Sequence, residues 1–242
     1  MSTYLRYELI RTFRNRRFFL FALGFPLVLF FLIAGPNRHE QSFAGSGIPA
    51  VLYYMVGLAA FGTMNAVIGS GARVSIERTA GWTRQLRLTP LSVRRYLATK
   101  VLLAYVTAAL TIVLLYAAGL SLGVSLSASS WVKMTALLLL GLLPFAALGL
   151  AYGHLFSTDV LGPAIGGTTA LLAFLGGVWF PIQSGVFRDI AQSLPSYWLV
   201  QASHVSLGGA GWTPTGWLVM AAWTAALSLL AGYAYRRDTQ RA

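Results

Sequence analysis

Six long apolar runs, separated by short polar or basic stretches, constrain this chain more than any other feature. Each run reaches or approaches the roughly 20 residues that an α-helix needs to cross the hydrocarbon of a bilayer. Charged residues make up only 10% of the 242 residues, less than half the ~25% of a soluble domain. The sequence therefore predicts an all-α integral membrane protein with six transmembrane helices. Their approximate limits are 18–34, 48–74, 101–124, 131–156, 162–180 and 217–235.

The distribution of basic residues predicts the orientation of these spans. An even number of spans places both termini on one side, and that side receives fifteen of the eighteen Lys and Arg residues. The opposite side has only Arg38, Lys133 and Arg188. Because Lys and Arg accumulate on the cytoplasmic side, both termini are expected in the cytoplasm. The basic residues flank apolar runs and form no patch on a soluble fold, so nucleic acid is not an expected partner.

Two segments are amphipathic but too short or too polar to span. Residues 1–17 combine five arginines with apolar residues at helical spacing, which predicts an interfacial helix along the membrane surface. Between spans five and six, Pro181 to Gly216 contains two apolar stretches, the first ended by Pro195 and the second containing Tyr197. This pattern fits two short re-entrant helices on the outer side, and an ordinary interfacial loop is the alternative.

The stretch from Ile76 to Lys100 carries six of the eighteen basic residues and lies between two apolar runs. Each charge would cost roughly 2.5–3.5 kcal/mol at the centre of a bilayer, so the stretch is expected to remain in water. Thr89-Pro90 suits the cap and first turn of a helix, which predicts one short helix over about 75–88 and a second helix starting at Pro90. The stretch either only sets the orientation or, as we favour, also forms a docking surface.

The residues that are missing exclude several classes of chemistry. The chain has no cysteine, which excludes disulfides, thiol catalysis and Cys-based metal sites, and we expect neither a metal site nor catalytic residues. No ionisable residue lies near the middle of a span, which argues against a proton-coupled carrier; a sodium site built from carbonyls and hydroxyls remains open. Ser70 and His154 could in principle form the dyad of an intramembrane enzyme, but close packing of small residues explains Ser70 more simply. Neither Lys100 nor Lys133 follows the glycine of a phosphate loop, so the chain is expected not to hydrolyse ATP.

Three short motifs together resemble the membrane subunits of the ABC-2 family of ATP-binding-cassette exporters. Their order and their sides of the membrane match the six-span plan, and the resemblance covers essentially the whole chain, 1–242, as one transmembrane domain. The first motif is Glu77-Arg78-x-x-Gly81, continuing to Leu86-Arg87-x-Thr89-Pro90-Leu91 and closing at Tyr96 and Lys100. The others are Gly176-Gly177-Val178-Trp179-Phe180-Pro181 and Leu194-Pro195-Ser196-Tyr197.

The resemblance implies partners and sites. Two such subunits would pair as a homodimer through their first and fifth spans in a bacterial plasma membrane, and each would bind a cytoplasmic ABC ATPase. ATP and Mg would be bound by that ATPase, and no cofactor by this chain. A coupling helix within Glu77 to Pro90 and the turn at Ser157 to Leu161 would contact the ATPase. The expected coupling residues are Glu77, Arg78, Gly81, Trp82, Arg84, Leu86, Arg87, Pro90 and Asp159.

The expected function is ATP-driven export of a hydrophobic small molecule, such as a drug, an antibiotic or a lipid. Export of a polysaccharide or a lipid-linked glycan is the chief alternative, and an ion-coupled carrier or intramembrane enzyme is a remote one. Aromatic residues within the spans either line the path of the cargo or pack against lipid and other helices. The candidates for the path are Phe25, Phe30, Phe61, Phe174 and Trp179.

Overall fold

The structure, a computed structural model, describes residues 2–14, 20–81, 85, 92–182, 184–208 and 211–241, and within them the regular elements are all helical. A π-helical turn, Leu20–Gly24, precedes α2, and a 3₁₀ turn, Ala202–Leu207, follows α9. The α-helices in these residues are α1 (Ser2–Arg14), α2 (Phe25–Ala34), α3 (Ala50–Thr79), α4 (Val93–Ser121), α5 (Ala128–Gly141), α6 (Leu143–Leu155), α7 (Thr158–Leu175), α8 (Val186–Gln192), α9 (Pro195–Gln201) and α10 (Pro214–Arg241).

Helix α3 is the centre of the bundle. Of its most apolar stretch, 89% is buried, against 17% for α7 and for α10. It packs against α2, α4, α6, α7 and α9. The outer helices therefore turn most of their apolar surface away from the described chain, as expected of a bundle that meets lipid or another subunit.

Glycine allows α3 and α6 to approach until their backbones touch. A Cβ atom added to Gly149 would lie 2.6 Å from the Ile68 carbonyl oxygen, and one added to Gly71 would lie 2.5 Å from the Gly149 carbonyl carbon. Small residues at such a contact provide close packing where lipid removes the hydrophobic driving force. This contact fixes α6 along the membrane-spanning length of α3.

Among the described residues, five helical segments are long and apolar enough to cross a membrane, which is one fewer than predicted for the chain. They match predicted spans two to six, although several helices extend beyond the predicted limits. The predicted first span corresponds to a shorter apolar stretch, Ala22–Ala34, and residues 18 and 19 of that prediction lie outside the described part. The prediction of an all-helical membrane protein agrees with the structure, and the sixth span remains a prediction.

Two predicted spans differ in shape from the structure. The fourth is divided into α5 and α6 at Leu142, since Pro144 lacks the N–H that would continue the hydrogen-bond ladder. The fifth was expected to reach Phe180, but α7 ends at Leu175. Gly176 caps it, and Gly177 adopts a positive φ of 77° that favours glycine and turns the chain out of the helix.

The outer segment contains the two short helices that its apolar stripes predict. Helix α8 ends at Gln192, and Pro195 begins α9 at a position where its missing N–H costs nothing. Three indole N–H groups fasten this segment: Trp198 donates to the Gln192 carbonyl, Trp212 to the Trp198 carbonyl and Trp223 to the Ser193 carbonyl. Whether the two helices re-enter a bilayer remains a prediction.

Candidate coupling site

Three charged helix faces meet where α3 stops and α4 begins, which we call the connector end of the bundle. Residues 82–91 join the two helices and are called the connector; of these, the structure describes Gln85. Helix α3 was expected to give way to a separate helix near Ser75, but it continues unbroken to Thr79, since neither Gly nor Pro occurs between Ala72 and Ala80. Gly81 then takes a positive φ of 71°, a common way for a helix to end.

Four-residue spacing places the relevant side chains on single faces of two of these helices. Helix α4 presents Tyr96 and Lys100 on one face, and α1 presents Glu8 and Thr12 on one face. Glu77 comes from the last turns of α3. The sequence thus delivers two carboxylates and one ammonium group to the junction of three helices.

These side chains form a buried ion-pair cluster. Lys100 Nζ lies 2.5 Å from Glu77 Oε1 and 2.9 Å from Glu8 Oε2. The Tyr96 hydroxyl donates to Glu77 Oε2 at 2.5 Å. Only 2% of Lys100 and 3% of Glu77 is exposed. The expectation that the whole basic stretch remains in water is therefore wrong for Lys100, whose charge is balanced inside the protein.

Because the cluster is buried, its stability depends on every one of its members. Charged groups are tolerated away from water only when they are paired and hydrogen-bonded. Lys100 bridges two carboxylates, so loss of its ammonium group would leave Glu8 and Glu77 without their buried cation and with only the exposed Arg11 beside them. The cluster consequently fixes the relative positions of α1, α3 and α4 at the connector end.

Arginines complete the cluster on its outer side. Arg11, whose side chain is 61% exposed, lies 3.3 Å from Glu77 Oε1 and 3.6 Å from Glu8 Oε1. Arg73 donates to the Thr12 hydroxyl at 3.4 Å. Burial and the nearby carboxylates of Glu8 and Glu77 raise the pKa of Tyr4, so this tyrosine stays protonated and adds no charge. The cluster thus has a closed inner side and an open outer side at Arg11.

A second junction ties the same end of α3 to α6. Arg78 donates to the His154 carbonyl at 2.7 Å, and the Ser75 hydroxyl donates to the Phe156 carbonyl at 2.7 Å. The last carbonyls of a helix have no partner within it, and these two side chains satisfy carbonyls at the end of α6. The end of α3 is therefore held from two sides.

The structure describes four of the nine predicted coupling residues. Glu77 and Arg78 belong to the two junctions, Gly81 ends α3, and Asp159 is exposed in the first turn of α7. The other five predicted coupling residues lie outside the described residues; they are Trp82, Arg84, Leu86, Arg87 and Pro90. Because Glu77 is buried, its side chain is not available to a partner, and it positions the start of the connector through its contacts inside the protein. Direct contact with a partner is expected from the connector.

The structure brings three of the predicted path residues together. Phe25 and Phe61 have ring centroids 6.3 Å apart, and Phe61 and Trp179 have centroids 5.7 Å apart. They form a continuous aromatic row from α2 across α3 to the segment after α7. Phe174 stands apart from this row and contacts Phe180 and Phe187. Phe30 is fully buried in the core, where it serves packing.

The three residues predicted for the outer re-entrant segment lie at the opposite end of the bundle. Pro195 begins α9, and Pro181 and Tyr197 line one cavity.

Sequence reasoning missed Glu8 at the connector end. Its signal was present, since Glu8 is the only acidic residue before Glu40 and lies in an arginine-rich helix. Such an isolated carboxylate indicates a specific cationic partner.

Two comparisons show which known proteins this chain resembles. A family model described as "ABC-2 family transporter protein" matches residues 37–234. The chain is also 26% identical over 238 residues to YvfS of Bacillus subtilis (strain 168), whose assigned role is that of a transport permease. That alignment covers 96% of this chain and 95% of YvfS, so it extends beyond the residues that the family model matches.

Proposed function

This chain belongs to the ABC-2 family of transporter proteins, and from that premise we propose that it is the membrane permease subunit of an ATP-driven exporter. Members of this family are multi-pass transport components that rely on an ABC ATPase for energy. The observation that carries the coupling proposal is the buried cluster of Glu8, Glu77 and Lys100 at the base of the connector.

In this proposal the connector receives the ATPase and the cluster relays its displacement. Arg84 and Arg87 supply charge against acidic residues of the ATPase, and Trp82 and Leu86 supply apolar contact. Lys100 and Glu77 bracket the connector in the sequence and are bonded to each other. A pull on the connector therefore moves α3 and α4 together, and α1 follows through Glu8. Nucleotide binding would in this way shift the population between two states of the pathway.

Binding of the ATPase to connector variants tests the docking step. The double variant Arg84→Ala/Arg87→Ala should lose most of its binding to the cognate ATPase in co-purification. The matched control Arg236→Ala/Arg237→Ala removes two exposed arginines from the end of α10 and should bind normally. Equal binding by the two double variants would refute docking at the connector.

We further propose that the cargo is hydrophobic, and the aromatic row of Phe25, Phe61 and Trp179 supports this. In proteoliposomes containing the permease and its ATPase, Phe61→Ala should reduce ATP-driven transport of an amphipathic drug several-fold. Tyr233→Ala on the exposed face of α10 is the control and should transport normally. Transport of a lipid-linked glycan in preference to the drug would select the alternative cargo class.

We also propose that two copies pair through α2 and α7. Large apolar side chains are exposed on both helices, including Val28 and Phe31 on α2 and Leu171 and Phe174 on α7. The chain contains no cysteine, so a single introduced thiol reports on proximity without background. Val28→Cys or Leu171→Cys should form an intermolecular disulfide in membranes. Leu229→Cys on α10 is the control, and cross-linking only at that position would overturn this pairing.

A further inference from the structure

A polar cavity of about 310 Å³ lies at the end of the bundle opposite the connector. It is far larger than the ~10–15 Å³ that one water requires. Its walls come from the first turn of α3, the segment after α7, helix α8 and the α9 region. The side chains that bear on its chemistry are Tyr53, Arg188, Tyr197, Gln201 and His204.

Several hydrogen-bonding groups of this cavity have no partner within the described part of the chain. Tyr197 is 4% exposed, yet its hydroxyl makes no hydrogen bond to any described residue, and neither does the side-chain amide of Gln201. Nδ1 of His204 is buried and likewise makes none with the described residues. Tyr53 differs, because its hydroxyl donates to the Gly177 carbonyl. Buried polar groups are nearly always satisfied, so the buried Nδ1 of His204 indicates a bound group. The Tyr197 hydroxyl and the Gln201 amide are further hydrogen-bonding groups that can serve the same bound group.

The charge of the lining selects the kind of group. Arg188 is the cation of the described lining, and no carboxylate is among the described lining residues. Guanidinium, phenol, amide and imidazole groups can all donate hydrogen bonds, and a lining that combines such donors with an arginine suits an oxygen-rich anion. Arginine binds phosphate oxygens with particularly strong charge-assisted hydrogen bonds.

The surface beside the cavity indicates where this phosphate comes from. Helix α8 contributes Arg188 to the lining, and it exposes Val186, Phe187 and Ile190, with Val186 74% exposed. A polar cavity next to an apolar helix face matches a molecule with an anionic head and hydrocarbon chains. We propose that this cavity binds the phosphate headgroup of a membrane phospholipid whose acyl chains lie along α8. The site is independent of the exported cargo and of the ATPase.

Lipid titration of the purified, delipidated protein tests this site. Short-chain phosphatidylglycerol should bind saturably, as followed by native mass spectrometry, and diacylglycerol of the same chain length should bind at least about tenfold more weakly. Equal binding of the two lipids would overturn the proposal, since it would show a merely apolar contact. Inorganic phosphate alone should not compete at similar concentration; if it does, the site binds free anions and the lipid assignment is wrong.

Variants locate the binding. Arg188→Gln should weaken phosphatidylglycerol binding about tenfold, and Tyr197→Phe should weaken it several-fold because only a hydroxyl is lost. Arg188 is exposed and the Tyr197 ring is retained, so both variants are expected to fold, which a thermal melt checks. Lys133→Gln, which removes an exposed cation from α5, is the matched control. Wild-type affinity in both cavity variants, or equal loss in the control, would refute the site.

Discussion

The two ends of this helix bundle are held together by opposite kinds of interaction. At the connector end, Glu8, Glu77 and Lys100 pair charge with charge out of contact with water. At the other end, indoles donate to carbonyls, as Trp212 does to Trp198, among aromatic rings. An ionic junction fails as a unit when one member leaves, whereas a neutral one loses its bonds singly. We therefore expect the three helices at the connector end to move together, and the helices at the opposite end to keep their relative positions.

The sharpest test of the contrast is Lys100→Met. It removes the buried cation between the two carboxylates, leaves them only the exposed Arg11, and should lower the free energy of unfolding by about 3–5 kcal/mol. Thermal unfolding in detergent measures it, with Lys133→Met at an exposed position as control. Adding Glu8→Gln and Glu77→Gln to Lys100→Met should recover part of the loss. A melt for Lys100→Met equal to that of the control would show that the cluster is not a structural unit.

Tyr96→Phe removes a single neutral donor from the same cluster. The hydroxyl bonds to a carboxylate oxygen of Glu77 at 2.5 Å, so its loss should cost about 2 kcal/mol. The measurement is the same melt. In a double-mutant cycle with Glu77→Gln, the two losses should add up to more than the double variant shows. Simple additivity would indicate that the two side chains act separately.

At the end opposite the connector, Trp212→Phe should lower the free energy of unfolding by about 1–2 kcal/mol, because one buried carbonyl loses its donor. Trp217→Phe is the matched control, since Trp217 is exposed and meets the Trp212 ring edge-on, and its indole donates no hydrogen bond among the described residues. A loss at Trp212 as large as that at Lys100 would break the contrast between the two ends.

The smallest expected effect is a pH dependence of the stability that arises from His204, at the end opposite the connector. Burial lowers the pKa of His204 below its usual 6.5, and this outweighs the Gln201 carbonyl, which favours the protonated ring. The unfolded chain then binds the proton first, so stability should fall as the pH drops through about 6.5. Melts at pH 7.5 and 5.5 should differ more for the wild type than for His204→Gln. His39→Gln, at an exposed residue, should leave the pH dependence unchanged, and equal slopes in all three proteins would contradict the prediction.

The sequence predicted the helical membrane class because long apolar runs admit few other structures. It also predicted the two short helices between α7 and α10, where Pro195 and the apolar stripes mark them. It did not predict the break at Leu142 or the early end of α7, since both depend on how Pro144 and Gly177 fit their neighbours.

The candidate site was predictable in its residues but not in its arrangement. Glu77 and Lys100 were recognisable from their motif, yet their burial depends on α1 folding against α3 and α4. Glu8 is 92 residues from Lys100 in the chain, and no local pattern joins them. Of the aromatic path candidates, only packing could separate Phe61, which belongs to the row, from Phe30, which belongs to the core.

The most direct measurement of the central claim is the amount of cargo exported per ATP hydrolysed in proteoliposomes. Glu8→Gln unties α1 from Lys100 while leaving the Glu77–Lys100 pair in place, and Arg6→Gln changes an exposed residue of the same helix. We expect Glu8→Gln to bind the ATPase and hydrolyse ATP normally but to export several-fold less per ATP, and Arg6→Gln to match the wild type. Wild-type export per ATP in Glu8→Gln would contradict a relay through the buried cluster.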